Sequence, residues 1–372
     1  MAAPDPGVRQ GEALTEKIAR RIRAEGPLSL AAFMAIALHD QGGGYYARRQ
    51  PLGRAGDFVT APEISQIFGE LIGLWFADLW QRIGRPHPID LVELGPGRGT
   101  LMADFLRAAA SLPGFRDALR VWLVEASPLL REEQSRRLAE AGPRFVSDLG
   151  EVPPGPLFLV ANEFLDALPV RQFVRGAHDW AERLVGLDEG GRLVFVPGPE
   201  SWAATLLVPE TLRDSPPGAV AEICPAAAAL VGSIAKRLTE APGAALFVDY
   251  GHFPSTRGPS LAAIRDHRPA DPLDRPGSTD LSAHVDFQAV AEAARSAGAA
   301  VYGPVPQGRL LAALGAEMRL ARLQRHAPGE RREALASSLA RLIDPAQMGN
   351  LFKAIAVLSP GLPAPAGFVG EG

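Results

Sequence analysis

Leu91-Val92-Glu93-Leu94-Gly95-Pro96-Gly97-Arg98-Gly99-Thr100-Leu101 is the stretch that decides the fold. The apolar run beginning at Ile89 reads as a buried strand, three alternate glycines make a tight turn, and Thr100 opens a helix expected to reach Ala110. Glycine tolerates positive φ and lets a ligand approach bare backbone. GxGxG alone is weak evidence, because such turns also form without a ligand. Between a buried strand and a helix, it predicts a nucleotide-like ligand on Gly95, Gly97 and Gly99.

Downstream the same rhythm repeats. Strands are expected at 120–125, 145–146, 157–161 and 244–250, with helices at 129–141 and 219–238 and a break near Pro225. Strands alternating with helices in this way imply right-handed crossovers and a parallel sheet. Residues 170–208 interrupt it with alternating segments separated by glycines, as in an antiparallel hairpin insertion. Residues 251–279 show no clear periodicity and carry Arg257, Arg265, His267, Arg268 and Arg275, a candidate lid or docking loop. Residues 284–342 return to helices, and the Pro-Gly-rich tail after Ser359 is expected to be disordered.

Upstream, Leu14, Ile18 and Ile22 mark an amphipathic helix over 10–24, and Ser29 is placed to cap a second helix through Leu38. Thr60-Ala61-Pro62-Glu63 has the form of a capping box for a long helix whose apolar positions run from Ile64 to Leu79. That apolar face suits a core, and part of it is a candidate surface for a homodimer. The expected organisation is thus an N-terminal helical extension over 1–85 that covers the ligand site and an α/β core over 86–358. Insertions fall at about 170–218 and 251–283, and a tail follows over 359–372.

The totals bound the function. A net charge of -4 over 372 residues offers no field for nucleic acid. A single cysteine, Cys224, excludes an intrachain disulfide and a zinc cluster with several thiolates, so no metal site is expected. There is no apolar run of transmembrane length and no apolar segment near Met1, which reads as a cytoplasmic protein without an integral membrane segment.

Two details choose among nucleotide-like ligands. The dinucleotide fingerprint GxGxxG sets a pyrophosphate on the helix N-terminus, whereas here Arg98 alone separates the last two glycines. Glu93 would also repel a pyrophosphate, but it suits a cationic amino-acid portion, as in S-adenosyl-L-methionine (SAM). Glu125, with Ala126 and Ser127 after it, ends the second strand where ribose hydroxyls are bound in such sheets. Asp148 and Leu149, after the third strand, are candidates for an adenine amino group and ring. The fourth strand runs into Asn162 and Glu163, where a transferring methyl would meet its acceptor, with Asp166 one helical turn further on. His284 is a candidate to take the released proton. The bland reading stays open for each: strand-end charges, a turn-capping Asn162 and a structural histidine. A dinucleotide-dependent oxidoreductase, a SAM-binding scaffold without turnover and a small-molecule methyltransferase are the alternatives.

Six blocks resemble the MidA-like family of class I SAM-dependent methyltransferases, in the same order, across roughly residues 10 to 357. They are 42–46, 56–65, 93–101, 162–169, 247–252 and 277–287. The resemblance implies a Rossmann-like seven-stranded core with an N-terminal helical extension and an inserted β-rich and helical lobe. It also implies symmetric ω-N-dimethylation of an arginine in a protein substrate, the 49-kDa-type subunit of respiratory complex I. Gly56, Asp57, Phe58, Thr60, Pro62 and Glu63 would fold over the cofactor, with Thr60 and Glu63 near its methionine end. A guanidinium stays fully charged near neutral pH, so a fork of carboxylates, Glu163 first and Asp166 second, would orient it and aim one nitrogen at the methyl.

Overall fold

A computed structural model describes residues 6–48, 59–325 and 327–368. The chain divides into two compact units. One comprises Val59–Leu165, Leu230–Gly251 and Val290–Gly372; the other comprises Met1–Phe58, Asp166–Ala229 and His252–Ala289.

The first unit is built on a sheet of β1 (Ile89–Leu94), β2 (Leu119–Val124), β3 (Arg144–Val146), β4 (Leu157–Asn162), β5 (Gly243–His252), β6 (Ala300–Pro306) and β7 (Phe352–Leu358). These strands lie in the order β3-β2-β1-β4-β5-β7-β6. Strands β1 to β5 are parallel to their neighbours, and β7 runs antiparallel to both β5 and β6. Every residue of β1 is buried, as expected for a central parallel strand covered on both faces. The winding reverses between β1 and β4, which opens a crevice at their carboxyl ends. That is the Rossmann-like α/β architecture expected from the turn.

Helices α1 (Gln66–Arg82) and α2 (Thr100–Ala109) pack against each other beside this sheet. Glycines permit the close approach. A Cβ at Gly69 would lie 2.7 Å from the Asp104 Cβ, and one at Gly73 would lie 2.7 Å from the Phe105 carbonyl. Phe68, Leu71, Ile72, Trp75, Phe76, Leu79 and Trp80 of α1 are all core. The face considered for a homodimer is therefore internal, and α1 belongs with the sheet, so the boundary falls at Phe58 and not at residue 85.

Several local expectations change. Thr60 makes no side-chain cap bond; the chain forms a short helix, Ala61–Ile64, and breaks at Ser65, whose hydroxyl caps α1 by accepting from the Ile67 amide. Glu63 is drawn away to the Thr100 hydroxyl and the Arg98 guanidinium. The predicted helix over 219–238 splits into a strand, Val220–Ile223, and a helix, Pro225–Glu240. Pro225 lacks the N–H that a helix interior needs but is tolerated in its first turn. The tail expected to be disordered is ordered through Phe368. The Ala366 carbonyl accepts from Trp75 Nε1 at 3.0 Å, Leu362 accepts from the Tyr302 hydroxyl at 2.5 Å, and Phe368 is buried.

In the second unit, helices Pro6–Glu25 and Leu30–His39 accompany an antiparallel sheet of Leu28–Ser29, Arg171–Arg175, Trp180–Leu187, Leu193–Ser201 and Val220–Ile223. Ser29 caps the second helix by accepting from the Ala32 amide. Leu14, Ile18, Ile22, Leu30, Phe33 and Met34 form one core there with Val170 and Val185. The aperiodic 251–279 segment contains a hairpin, Ala262–Arg265 with Arg268–Pro269, turned by Asp266 and His267 at φ 51° and 62°. Two consecutive positive-φ residues are what a tight hairpin turn requires.

Candidate active site

The glycine turn leaves β1 with φ of 58°, 54° and 76° at Gly95, Gly97 and Gly99, the left-handed region that side chains disfavour. The Gly95 amide donates to the Val124 carbonyl at 3.1 Å, and the Gly99 amide to Pro96 at 2.8 Å. A Cβ at Gly95 would lie 2.8 Å from Phe164 Cδ2. The turn therefore abuts the segment that follows β4.

Four candidate carboxylates follow. Glu93, at the end of β1, is 3% exposed, and its Oε2 has no hydrogen-bond partner among the described residues. Burial pushes its carboxyl well above the usual carboxylate range, and neighbouring Glu125 pushes it further. Leaving such a group unsatisfied costs about 1–3 kcal/mol or more, a cost that a hydrogen-bonding or cationic ligand group would offset. Glu125 follows β2. Its Oε1 accepts from the Ser127 amide at 2.8 Å and its Oε2 from Gln134 Nε2 at 3.2 Å. Burial raises this carboxyl, while the amides of Ser127, Gln134 and Ala126 oppose the rise. Asp148 caps its own turn by accepting from the Gly150 amide at 2.7 Å, and Leu149 is buried beside it. Glu63, with Pro62 buried next to it, is held by Thr100 and by Arg98, which Glu133 grips from the other side at 2.7 Å. Gly56, Asp57 and Phe58 lie outside the described residues.

After β4 the chain makes an elbow. Glu163 has φ of 51°, and its amide donates to the Val248 carbonyl at 2.9 Å. The next two amides, Phe164 and Leu165, both donate to Asp249 Oδ2, at 3.1 and 2.9 Å. Asp249 is 1% exposed on β5, so one buried carboxylate pins the elbow. A non-glycine residue in this backbone region is strained by about 1–3 kcal/mol and persists only where its surroundings over-determine it. Glu163 Oε1 accepts from the Ala61 amide at 3.0 Å and from Asn162 Nδ2 at 3.2 Å, and Asn162 Oδ1 is buried with no hydrogen-bond partner among the described residues.

The remaining candidates belong to the second unit. The Asp166 carbonyl accepts from the Ala283 amide at 3.0 Å, and the amide of exposed His284 donates to Ser260 Oγ at 2.8 Å. Tyr46 donates to Asp280 at 3.2 Å and stacks on His39. Burial, with Asp280 and Asp166 nearby, holds its phenol well above the ordinary range. Blocks 42–46 and 277–284 thus meet in one place.

The sequence profile of the S-adenosyl-L-methionine-dependent methyltransferase family matches residues 71–305. The mitochondrial protein arginine methyltransferase NDUFAF7 of Homo sapiens is 35% identical, with 91% of this chain and 81% of that protein aligned. Its Xenopus tropicalis counterpart is 34% identical over 96% of this chain and 89% of its own length. The chain belongs to this methyltransferase family. A crystal structure from Burkholderia thailandensis bound to S-adenosyl-homocysteine superposes with a TM-score of 0.84 at 30% identity, covering 100% of this chain and 98% of that one.

The methyltransferase uses SAM, and the residues present fit it. Bound SAM supplies an electrophilic methyl on a sulfonium. The unsatisfied Glu93 carboxylate suits its ammonium, the bare turn gives its backbone room, and Glu125 suits its ribose hydroxyls. Sequence reasoning read Asp249 only within the block 247–252 at a strand end, and missed two neighbours of the candidate site, the Ala61 amide and Gln134. Only Gln134 had a readable signal, since it sits four residues after Leu130 on an otherwise polar helix. The cytoplasmic placement is overturned. The NDUFAF7 relatives are named as mitochondrial proteins, which does not support a cytoplasmic reading. No helix among the described residues is long and apolar enough to cross a membrane.

Proposed function

We propose that this methyltransferase modifies an arginine of a protein substrate, with Glu163 as the carboxylate that orients the guanidinium. The observation that carries the reading is the elbow. A glutamate is kept at φ 51° by Asp249, at the carboxyl end of β4 and next to the glycine turn. A merely solvated glutamate would not need that strain. The relatives named as protein arginine methyltransferases support the acceptor type.

In this reading the chain's work is positioning and exclusion of water. Glu163 accepts from the N–H groups along one edge of the guanidinium, draws positive charge toward itself and leaves a nitrogen free to attack. Symmetric dimethylation of a 49-kDa-type complex I subunit is the acceptor chemistry we propose, on the strength of the six resembling blocks.

The test is Glu163→Gln, which keeps an oxygen for the Ala61 amide and removes the charge. SAM affinity should stay within about threefold, while transfer to the recombinant subunit falls roughly 10²–10³-fold, the loss typical of removing one electrostatic stabiliser. Transfer at the wild-type rate would remove Glu163 from the mechanism.

A further inference from the structure

Helix α3 (Pro128–Arg137) is almost entirely polar and buries only Leu130 and Gln134. A fully buried glutamine on a surface helix is costly unless its amide is used. Here the Nε2 group donates twice, to the Gly97 carbonyl at 2.6 Å and to Glu125 Oε2 at 3.2 Å. Those two acceptors belong to the two segments that the site reading assigns to the cofactor: the turn after β1 and the acidic end of β2. Gln134 itself lies beneath them, with no exposure, and its Oε1 has no hydrogen-bond partner among the described residues.

We propose that Gln134 is a positioning residue of the SAM site, clamping the Gly97 peptide to the Glu125 carboxylate so that turn and ribose-binding carboxylate keep one fixed spacing. This rests on the reading of Glu125 as a ligand to the ribose hydroxyls. The clamp works through hydrogen bonding to the ionised form of Glu125. The groups facing that carboxylate are the Ser127 and Ala126 amides, Gln134, the Arg131 guanidinium and the Glu93 carboxyl. Arg131 is engaged with the Glu125 carbonyl at 2.7 Å, and Glu93 is a like charge. Removing Gln134 therefore takes away the side-chain amide that directly favours the ionised carboxylate.

The experiment measures S-adenosyl-homocysteine affinity by calorimetry from pH 5 to 8, with ligand-free melting in parallel, for wild type, Gln134→Leu, Gln134→Glu and Glu125→Gln. Gln134→Leu should weaken binding roughly 10- to 100-fold, the loss of a bond to a charged group, and should move the acid limb of the affinity profile to higher pH. Gln134→Glu keeps the size of the side chain. Ionised, it repels Glu125; protonated, its single O–H can donate to Glu125 in place of one of the two amide bonds, so its affinity should rise as pH falls, opposite in sign to wild type. If Gln134→Leu does not fold, this reversal alone decides. Unchanged affinity and an unshifted profile in both Gln134 variants, with only a lowered melting temperature, would make Gln134 a packing residue and overturn the proposal. Unchanged affinity in Glu125→Gln would instead overturn the assignment of Glu125, whatever Gln134 does.

Discussion

Glu93→Gln separates two consequences of burying one carboxylate. In the ligand-free protein burial raises the carboxyl above its unfolded value, so the folded chain binds that proton more tightly than the unfolded chain does. Its stabilising contribution is complete below the unfolded glutamate range and is lost as pH rises toward the folded value. One group can contribute a slope of at most about 1.4 kcal/mol per pH unit. The glutamine variant has no such proton to lose. Free of ligand, it should match wild type near pH 4 and be more stable at neutral pH. Cofactor binding should move the other way. Removing one partner of a buried ion pair costs about 3–5 kcal/mol, or roughly two to three and a half orders of magnitude in Kd for SAM. Calorimetry and a melting series over pH 4–8 read both effects. A variant that binds SAM as wild type does would refute the placement of an ammonium on Glu93, and one less stable than wild type at neutral pH without ligand would refute the burial-raised carboxyl.

Other perturbations test the frame around it. Gly95→Ala puts a Cβ 2.8 Å from the Phe164 ring at φ 58°; the backbone alone costs about 1–2 kcal/mol, and SAM affinity should fall at least about tenfold by calorimetry. Truncation after Ser359 removes buried Phe368 and the acceptor for Trp75. Losing a buried phenylalanine costs about 3–5 kcal/mol, so the truncated protein should melt several degrees lower. Asp104 is raised to about 6 by burial, with its bond to Arg107 opposing the rise. Wild-type stability should decline as pH climbs from about 4 to 6 through this window, and a denaturation series on Asp104→Asn should show the decline reduced.

The central strands were legible because β1, β2 and β4 are short, mostly apolar runs, and β1 ends in a glycine turn that opens a helix. β6 and β7 were not. Ala300–Pro306 carries Gly303, Pro304 and Pro306 and fell inside the stretch expected to be helical over 284–342, and Phe352–Leu358 lies between that stretch and the tail, where no element was expected. Only the family resemblance implied strands beyond the five read from the sequence. Thr60 misled because a capping box is a local pattern, whereas Glu63 had stronger partners in Thr100 and Arg98, 35 residues or more away in sequence. Glu93 and Glu125 could be read from their strand ends. The strain at Glu163 could not, because the cause is Asp249, on a strand more than 80 residues later.

The most direct measurement is mass spectrometry of complex I from a deletion strain, complemented with wild-type protein or with Glu163→Gln. Loss of one symmetric dimethylarginine from the 49-kDa-type subunit, restored by wild type and not by Glu163→Gln, is the predicted result. A subunit still fully dimethylated in the deletion strain would contradict it.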